Sequence, residues 1–199
     1  MPQTVAHIFG GEAKVKIMRL FIFNPSSVFS AKDVATKAKV SSIKTRKELR
    51  TLLKASLIKK RGNMFVLNKS YRYLAAISDF LIDANPLSEK EIGKRIGNTG
   101  SIKLILLSGV FIHNPEARVD VLVVGDHIKQ GKLLAVMSSI EAELGKELRY
   151  AVFDTTEFQY RLGIYDKLVR DILDTQHEKV IDKFGLEPRQ IAIHKAEYN

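Results

Sequence analysis

The chain contains no cysteine, which excludes disulfide bonds, thiolate metal sites and cysteine nucleophiles. Long apolar runs are also absent, because the longest, LILLSGVFI, is far shorter than the roughly 20 residues that a membrane-spanning helix needs. The N-terminus has no basic region followed by an apolar stretch, so we expect no secretion signal and a cytoplasmic protein. The histidines are scattered without metal-ligand spacing, and we expect no metal site among them: His7, His113, His127, His177 and His194.

Acidic residues are scarce at one end of the chain. Residues 1–75 hold 16 lysines and arginines against three acids, a net charge of +13, whereas residues 76–199 have a net charge of −3. The composition, with 45% hydrophobic and 27% charged residues, is that of a globular protein, and 199 residues suffice for one large or two small domains. The asymmetry is typical of a polyanion-binding module joined to a near-neutral one.

Three helical patterns joined by short turns occupy the first part of the chain. EAKVKIMRLFIF, which begins at Glu12, has a broad apolar face. Ser30 is placed to cap the short helix AKDVATKAK, and the serines of the turn at residues 40–42 are placed to cap IKTRKELRTLLKA. LIKKRGNMFVLN then predicts a β-hairpin that turns at Gly62-Asn63. Three helices with such short joints indicate a helix-turn-helix domain, with the hairpin as its wing.

The third helical pattern separates leucines from cations. At 100° per residue, its leucines fall in one sector together with Ser42 and Thr45, and its lysines and arginines lie mainly on the opposite side. A basic helix face is usually only solvated, but this one belongs to a helix-turn-helix pattern and precedes the basic run KKR at residues 59–61. We therefore expect DNA to be bound by these residues: Ser42, Lys44, Arg46, Lys47, Arg50, Lys54, Lys60 and Arg61.

Three segments carry a family resemblance: FGGEAKVKIMRLF, AKDVATKAKVS and RKELRTLLKASLIKKRG. Over roughly residues 8–68 the chain resembles winged-helix transcription regulators of the broad ArsR/MarR type. Family members often have Gly where Ser56 stands, just before the Leu-Ile that starts the wing, and this departure concerns a turn. The resemblance implies a transcription regulator that binds double-stranded DNA, and we expect a homodimer.

The rest of the chain predicts a linker helix in residues 70–87 and a second domain in residues 88–199. EKEIGKRIG predicts a helix, and IKLILLSGVFI and VDVLVVGD predict two buried strands. The helix IKQGKLLAVMSSIEAELG and a third strand, ELRYAVFD, follow. EFQYRLGIYDKLVRDILDT predicts one long amphipathic helix, capped by Thr155 or Thr156. This order of elements indicates helices covering a small sheet.

The segments LILLSGVFIHNPEARVDVLVVGD and EAELGKELRYAVFDTTEF resemble the minimal nucleotidyltransferase domain of the DNA polymerase β superfamily, over roughly residues 86–184. Active members carry a Gly-Ser pair after the first strand and an Asp-x-Asp motif on the second, whose carboxylates hold Mg²⁺. Here Asp120 takes the place of the second Asp, Arg118 that of the first, and Ser108-Gly109 that of the Gly-Ser pair in reversed order.

This degenerate nucleotidyltransferase site (Ser108, Gly109, Arg118, Asp120) is expected to contain no catalytic residue, metal or cofactor. The glycine turn that brings backbone amides to phosphates is not evident, because bulky residues follow Gly109. An arginine in place of a carboxylate repels a metal ion, and we expect Asp120 to make local hydrogen bonds or an ion pair with Arg118.

The sequence thus predicts an α+β protein, with an N-terminal winged helix-turn-helix domain in residues 1–69 and a small nucleotidyltransferase-like α/β sandwich domain after the linker. We expect a DNA-binding transcriptional regulator whose inactive second domain senses a nucleotide or other effector, dimerises or docks a protein partner, without membrane association. Two alternatives stay open, namely an active Mg-dependent nucleotidyltransferase targeted by its winged helix and an antitoxin-like autorepressor. The carboxylate pattern favours the regulator over the active enzyme, and nothing separates the regulator from the autorepressor.

Overall fold

A computed structural model describes residues 3–84, 87–114 and 116–186. Residues 187–199 of the predicted second domain, with His194, lie outside the described residues. The predicted α+β class is confirmed, and the chain divides into two units: Met1–Ser88 with Met137–Glu147, and Glu89–Val136 with Leu148–Asn199. Within the described ranges, no helix combines the length and the apolar character that a membrane crossing requires.

The first unit combines helices with a small antiparallel sheet. Its core contains buried side chains from the second helix, the fourth helix and the sheet, including Phe21, Leu49, Ile58 and Leu67. Its elements in chain order are α1 (Gln3–Ile8), α2 (Glu12–Ile22), β1 (Val28–Phe29), α3 (Ala31–Lys37), α4 (Ser42–Lys54), β2 (Ile58–Arg61), β3 (Met64–Leu67) and α5 (Leu74–Asp83). The strand order is β1–β3–β2, with β3 in the middle.

Local sequence accounts for the start of α3 and for the hairpin. The Ser30 hydroxyl accepts the backbone N–H of Asp33 at 3.1 Å, and the Asp33 carboxylate accepts the N–H of Ser30 at 2.8 Å. This reciprocal capping box confirms the predicted cap, and its hydrogen bonds lower the pKa of Asp33. The β2–β3 hairpin is also confirmed, with Arg61 paired to Met64 across a two-residue turn whose Gly62 has φ 60°.

The predicted serine cap of α4 is wrong. Ser41 occupies the N-cap position, but its side chain makes no capping hydrogen bond. The backbone supplies the start of the helix instead, through the N–H of Thr45, which donates to the Ser41 carbonyl at 2.8 Å. The beginning of α4 therefore leaves the Ser41 and Ser42 side chains exposed to solvent.

A buried arginine joins α5 to α2. Arg19 is 3% exposed, and its Nη1 and Nη2 donate to the Leu81 carbonyl at 2.8 and 2.6 Å. Burial lowers the pKa of Arg19 to about 10, so the guanidinium stays charged at neutral pH. This contact explains why the segment 70–87, which the sequence assigns to a linker, belongs to the first unit.

The second unit contains α6 (Glu89–Gly97), β4 (Ser101–Leu107), β5 (Val121–Asp126), α7 (Gln130–Leu144), β6 (Tyr150–Phe153), α8 (Thr155–Gly163), α9 (Lys167–Asp174) and β7 (Glu178–Asp182). The C-terminal half of α7 counts with the first unit. In the described residues the strands form one sheet in the order β6–β5–β4–β7, with β5 and β6 parallel and the other pairs antiparallel. The residues of β4 and β5 are largely buried, as their continuous apolar runs predict.

The sequence misassigns several boundaries in this unit. The first strand ends at Leu107 and not at residue 112, because Gly109 at φ 54° starts a 3-10 turn over Gly109–Phe111. The predicted long helix is two helices, since Tyr165 at φ 55° breaks it and Asp166 caps α9. Asp154, and not Thr155 or Thr156, caps α8 by accepting the N–H of Glu157 at 2.7 Å. β7, which pairs with β4, was not predicted.

Residues 137–147 pack within the first unit through a close approach of backbones. Asn24 Nδ2 donates to the Leu20 carbonyl at 2.8 Å and to the Gly145 carbonyl at 2.7 Å. Gly145 has φ 77°, and a Cβ there would lie 2.5 Å from the Cβ of Arg19. Lys37 also forms an ion pair with Glu147. The first unit is therefore built from two separate stretches of chain, whereas the sequence predicts domains that follow one another.

Candidate nucleic-acid interface

Helix α4 has one buried side and one cationic side. Thr45, Glu48, Leu49 and Leu52 are buried, while Leu53 is half-buried. Ser42, which the helical angle places beside the leucines, is exposed because it lies in the first turn of the helix. The basic residues of α4 are all exposed: Lys44, Arg46, Lys47, Arg50 and Lys54.

The cationic side of α4 carries no acid. Glu48 is the one carboxylate in the helix sequence, and it lies on the buried side, with its Oε2 3.7 Å from Lys14 Nζ. Among the described residues, none of the five exposed cations of α4 pairs with a carboxylate, and the Arg50 Nε donates only to the Arg46 carbonyl at 3.3 Å. The positive charge of this side is therefore available to anions from outside the chain.

The β2–β3 hairpin continues the basic character. Lys59, Lys60 and Arg61 are exposed along β2, and within the described residues none of them forms an ion pair. Their cross-strand partners on β3 (Val66, Phe65 and Met64) are partly buried. Because only three residues separate the end of α4 from the start of β2, the two basic segments are close in sequence.

The residues that the sequence analysis compares with a nucleotidyltransferase site are held by hydrogen bonds within the chain. Asp120 is 3% exposed, and its Oδ1 accepts the N–H of Val110 at 2.9 Å and Arg149 Nη2 at 3.3 Å. Its Oδ2 accepts the Arg149 N–H at 2.8 Å and the Arg149 Nε at 3.3 Å. Both carboxylate oxygens of Asp120 are thus occupied by donors from the chain.

Of the two contacts expected for Asp120, the hydrogen bonds are confirmed and the ion pair with Arg118 is wrong. Arg118 Nε lies 2.8 Å from Asp171 Oδ2, so this arginine pairs with α9. Arg149, which directly precedes β6, takes the position beside Asp120. The parallel register of β5 and β6 explains the exchange, because Val121 pairs with Tyr150 and the preceding residues are therefore neighbours.

A glycine turn follows β4, although the sequence does not make it evident. Gly109 has φ 54°, and a Cβ there would lie 2.0 Å from Asp120 Oδ1. The amides of this turn are directed inward, because the Val110 N–H donates to Asp120 and the Phe111 N–H to the Ser108 carbonyl at 3.1 Å. Ser108 is buried, and its hydroxyl donates to the Val119 carbonyl. Ser108, Gly109 and Asp120 are therefore brought together around an internal network, and Arg118 is not part of it.

Two further residues in these sites escaped sequence analysis. Arg149 is 29 residues away from Asp120, and no local pattern connects them before the register of β5 and β6 is known. Ile43 is the other, an exposed apolar side chain on the cationic side of α4. The sequence does indicate the position of Ile43 on this face, because it precedes Lys47, Arg50 and Lys54 by four, seven and eleven residues, which are spacings of one helix face.

Comparison with known proteins gives no match to a family model, a curated protein or a solved structure. The described residues also contain no group of three or more histidines and acids that could hold a metal ion. The geometry of α4, the hairpin and the Asp120 network therefore provides the basis for a functional assignment.

Proposed function

We propose that this protein is a transcriptional regulator that binds double-stranded DNA through its first unit. In this proposal α2, α3 and α4 form a helix-turn-helix, α4 is the recognition helix, and the β2–β3 hairpin is the wing. The observation that carries it is the side of α4 with five exposed cations, no paired carboxylate and the single acid turned inward. Such a face replaces the counterions of the DNA phosphates, which is the main source of affinity for DNA.

The shape of the first unit supports the same proposal. A helix with its side chains is about 10–12 Å across, which fits the roughly 12 Å width of a major groove, and the 13 residues of α4 make it about 20 Å long. The hairpin follows at once and carries its cations on the strand next to α4 in sequence. Base-edge contacts would come from the N-terminal part of α4, and phosphate contacts from the hairpin.

A homodimer is part of the proposal, and the apolar surface of α1 and α5 supports it. Ile8 and Phe80 are exposed, and Phe9 packs on Phe80 with 5.7 Å between ring centroids. The end of α1 and this side of α5 thus carry apolar side chains that a second copy would cover. A two-fold dimer would present two copies of α4 to two half-sites.

We propose that the second unit is a nucleotidyltransferase-like domain without catalytic activity, used for effector sensing or partner docking. Phosphoryl transfer with Mg²⁺ needs carboxylate oxygens that are free to bind the ion. The Asp120 oxygens are instead filled by the amides of Val110 and Arg149 and by the Arg149 guanidinium. This network favours the regulator over the active nucleotidyltransferase.

Charge reversal on α4 tests the DNA-binding proposal. DNA sites are first selected with the full chain from random double-stranded oligonucleotides, and the affinity of the variants is then measured on the selected site. Lys47→Glu combined with Arg50→Glu should weaken binding by about 100-fold or more, because two contacts to DNA are lost and two repulsions are added.

The matched control is Lys167→Glu combined with Arg170→Glu. It changes the same residue types at the same spacing on exposed positions of α9, and it alters the net charge equally. It should leave the affinity within about threefold of the original protein, since α9 lies outside the proposed interface. Equal losses in both variants would show a response to net charge only and would contradict the assignment of α4.

A further inference from the structure

Ile43 is a large apolar side chain held almost entirely in solvent. It is 83% exposed, the highest value among the large hydrophobic residues that the structure describes. It lies in the first turn of α4 and is not part of the core that buries the leucines of the same helix. An isoleucine in this position gains nothing from the fold of the free protein.

The position of Ile43 on the helix is the centre of the cationic side. At 100° per residue, Lys47, Arg50 and Lys54 lie within about 40° of Ile43, and Leu52 lies about 180° away. These residues form one stripe at spacings of four, three and four residues along α4, with Ile43 at its N-terminal end. If the stripe faces DNA, as proposed above, Ile43 faces it too, at the end of the helix that commonly meets base edges.

The chemistry of the groove limits what Ile43 can contact. A phosphate needs a hydrogen-bond donor or a positive charge, and an isoleucine side chain has neither. In the major groove the apolar group on the base edges is the C5-methyl of thymine. Because a β-branched side chain on a helix keeps one preferred χ1 rotamer, Ile43 loses little side-chain entropy when it packs against such a methyl group.

We propose that Ile43 is a specificity-determining residue that packs against the 5-methyl group of a thymine in each half-site. The inference rests on the proposed function and deepens it, since it names the base that the N-terminal turn of α4 reads. It also implies that 5-methylcytosine, which carries a methyl group at the same place in the groove, is accepted better than cytosine at that position.

The test replaces single thymines by deoxyuridine in the selected site, which removes one methyl group and leaves every hydrogen-bonding group unchanged. With the original full chain, one thymine position per half-site should show a loss of about fourfold, the value expected for one buried methyl group. With Ile43→Ala, thymine and uracil at that position should be bound equally well. Ile43→Val should retain part of the difference.

Leu134→Ala is the control, because Leu134 is an exposed aliphatic residue on α7 in the second unit. This variant should keep the full preference for thymine. Equal binding of thymine and uracil by the original chain at every position, or an unchanged preference in Ile43→Ala, would overturn the inference while DNA binding stood. Failure to select any site would contradict the proposed function itself, so the two failures are distinguishable.

Discussion

Ser56 lies in the left-handed region of backbone conformation, with φ 61°, directly after the C-terminal cap of α4. Its N–H donates to the Leu53 carbonyl at 2.9 Å, and the Leu57 N–H donates to the Leu52 carbonyl at 3.1 Å. This is the Schellman arrangement, in which the left-handed position is usually glycine because a Cβ is unfavourable there. The serine therefore stores backbone strain at the turn between the proposed recognition helix and the hairpin.

Ser56→Gly should raise the free energy of unfolding by about 0.5–1 kcal/mol, since the relief of the left-handed strain exceeds the extra flexibility of glycine in the unfolded chain. Urea denaturation followed by circular dichroism measures the change, and DNA affinity should stay the same. Ser70→Gly is the control, because Ser70 is exposed and does not have a positive φ. A lower midpoint for Ser56→Gly than for Ser70→Gly would contradict this account of the turn.

The sequence predicts some local interactions and misses others, because the predicted serine cap of α4 does not form and α8 is capped by Asp154 instead of Thr155 or Thr156. The Ser30 capping box follows from residues three positions apart, and the departure at Ser56 was correctly placed in a turn. The partner of Asp120 was not predictable in this way, because Arg149 meets it only through the pairing of β5 with β6.

Helices and strands with clear local signals were predicted better than those that depend on pairing with distant residues. Helices α2 to α5 and the β2–β3 hairpin have clear periodicity or turn residues and are present as predicted, whereas α1 and β1 were not predicted. β7 has the sequence EKVID and lies at the edge of the sheet. Its charged residues at both ends do not show the apolar pattern of a strand, although charges are common on edge strands. The sequence predicts one continuous helix because its apolar spacing continues across Tyr165. The backbone of Tyr165 is in the left-handed region, which ends α8.

The Asp120 network joins the turn after β4 to β5 and β6, so it acts on whole elements. Asp120→Asn keeps the volume but replaces one acceptor by an NH₂ donor that faces the donors of Val110 and Arg149. It should lower the free energy of unfolding by about 1–3 kcal/mol, the cost of unsatisfied buried polar groups. Asp171→Asn, which breaks the more exposed pair with Arg118, should cost less than about 1 kcal/mol.

Asp120→Asn also tests the proposal that the second unit has no nucleotidyltransferase activity. Purified protein incubated with labelled nucleoside triphosphates and Mg²⁺ or Mn²⁺ should transfer no nucleotide to itself, to RNA or to co-purified proteins. Metal-dependent labelling that disappears in Asp120→Asn but persists in Asp171→Asn would show that Asp120 binds a metal ion. That result would favour the active nucleotidyltransferase over the regulator.

At the scale of the whole molecule, the basic part of the chain and the first compact unit do not have the same boundaries. The net charge of +13 belongs to residues 1–75, whereas the first unit also includes residues 137–147. The charge asymmetry can be predicted from the composition. The packing of residues 137–147 in the first unit cannot, because it depends on the hydrogen bond of Asn24 to Gly145 and on the absence of a side chain at Gly145.

The salt dependence of DNA binding tests the central claim most directly, because it counts the phosphates that the basic face neutralises. With about five phosphate contacts per protomer, a plot of log association constant against log salt concentration should have a slope of about −4 to −5 per protomer. The measurement uses the full chain on its selected site between low and physiological salt. A slope near zero would contradict the claim that the exposed cations of α4 and the hairpin bind the DNA backbone.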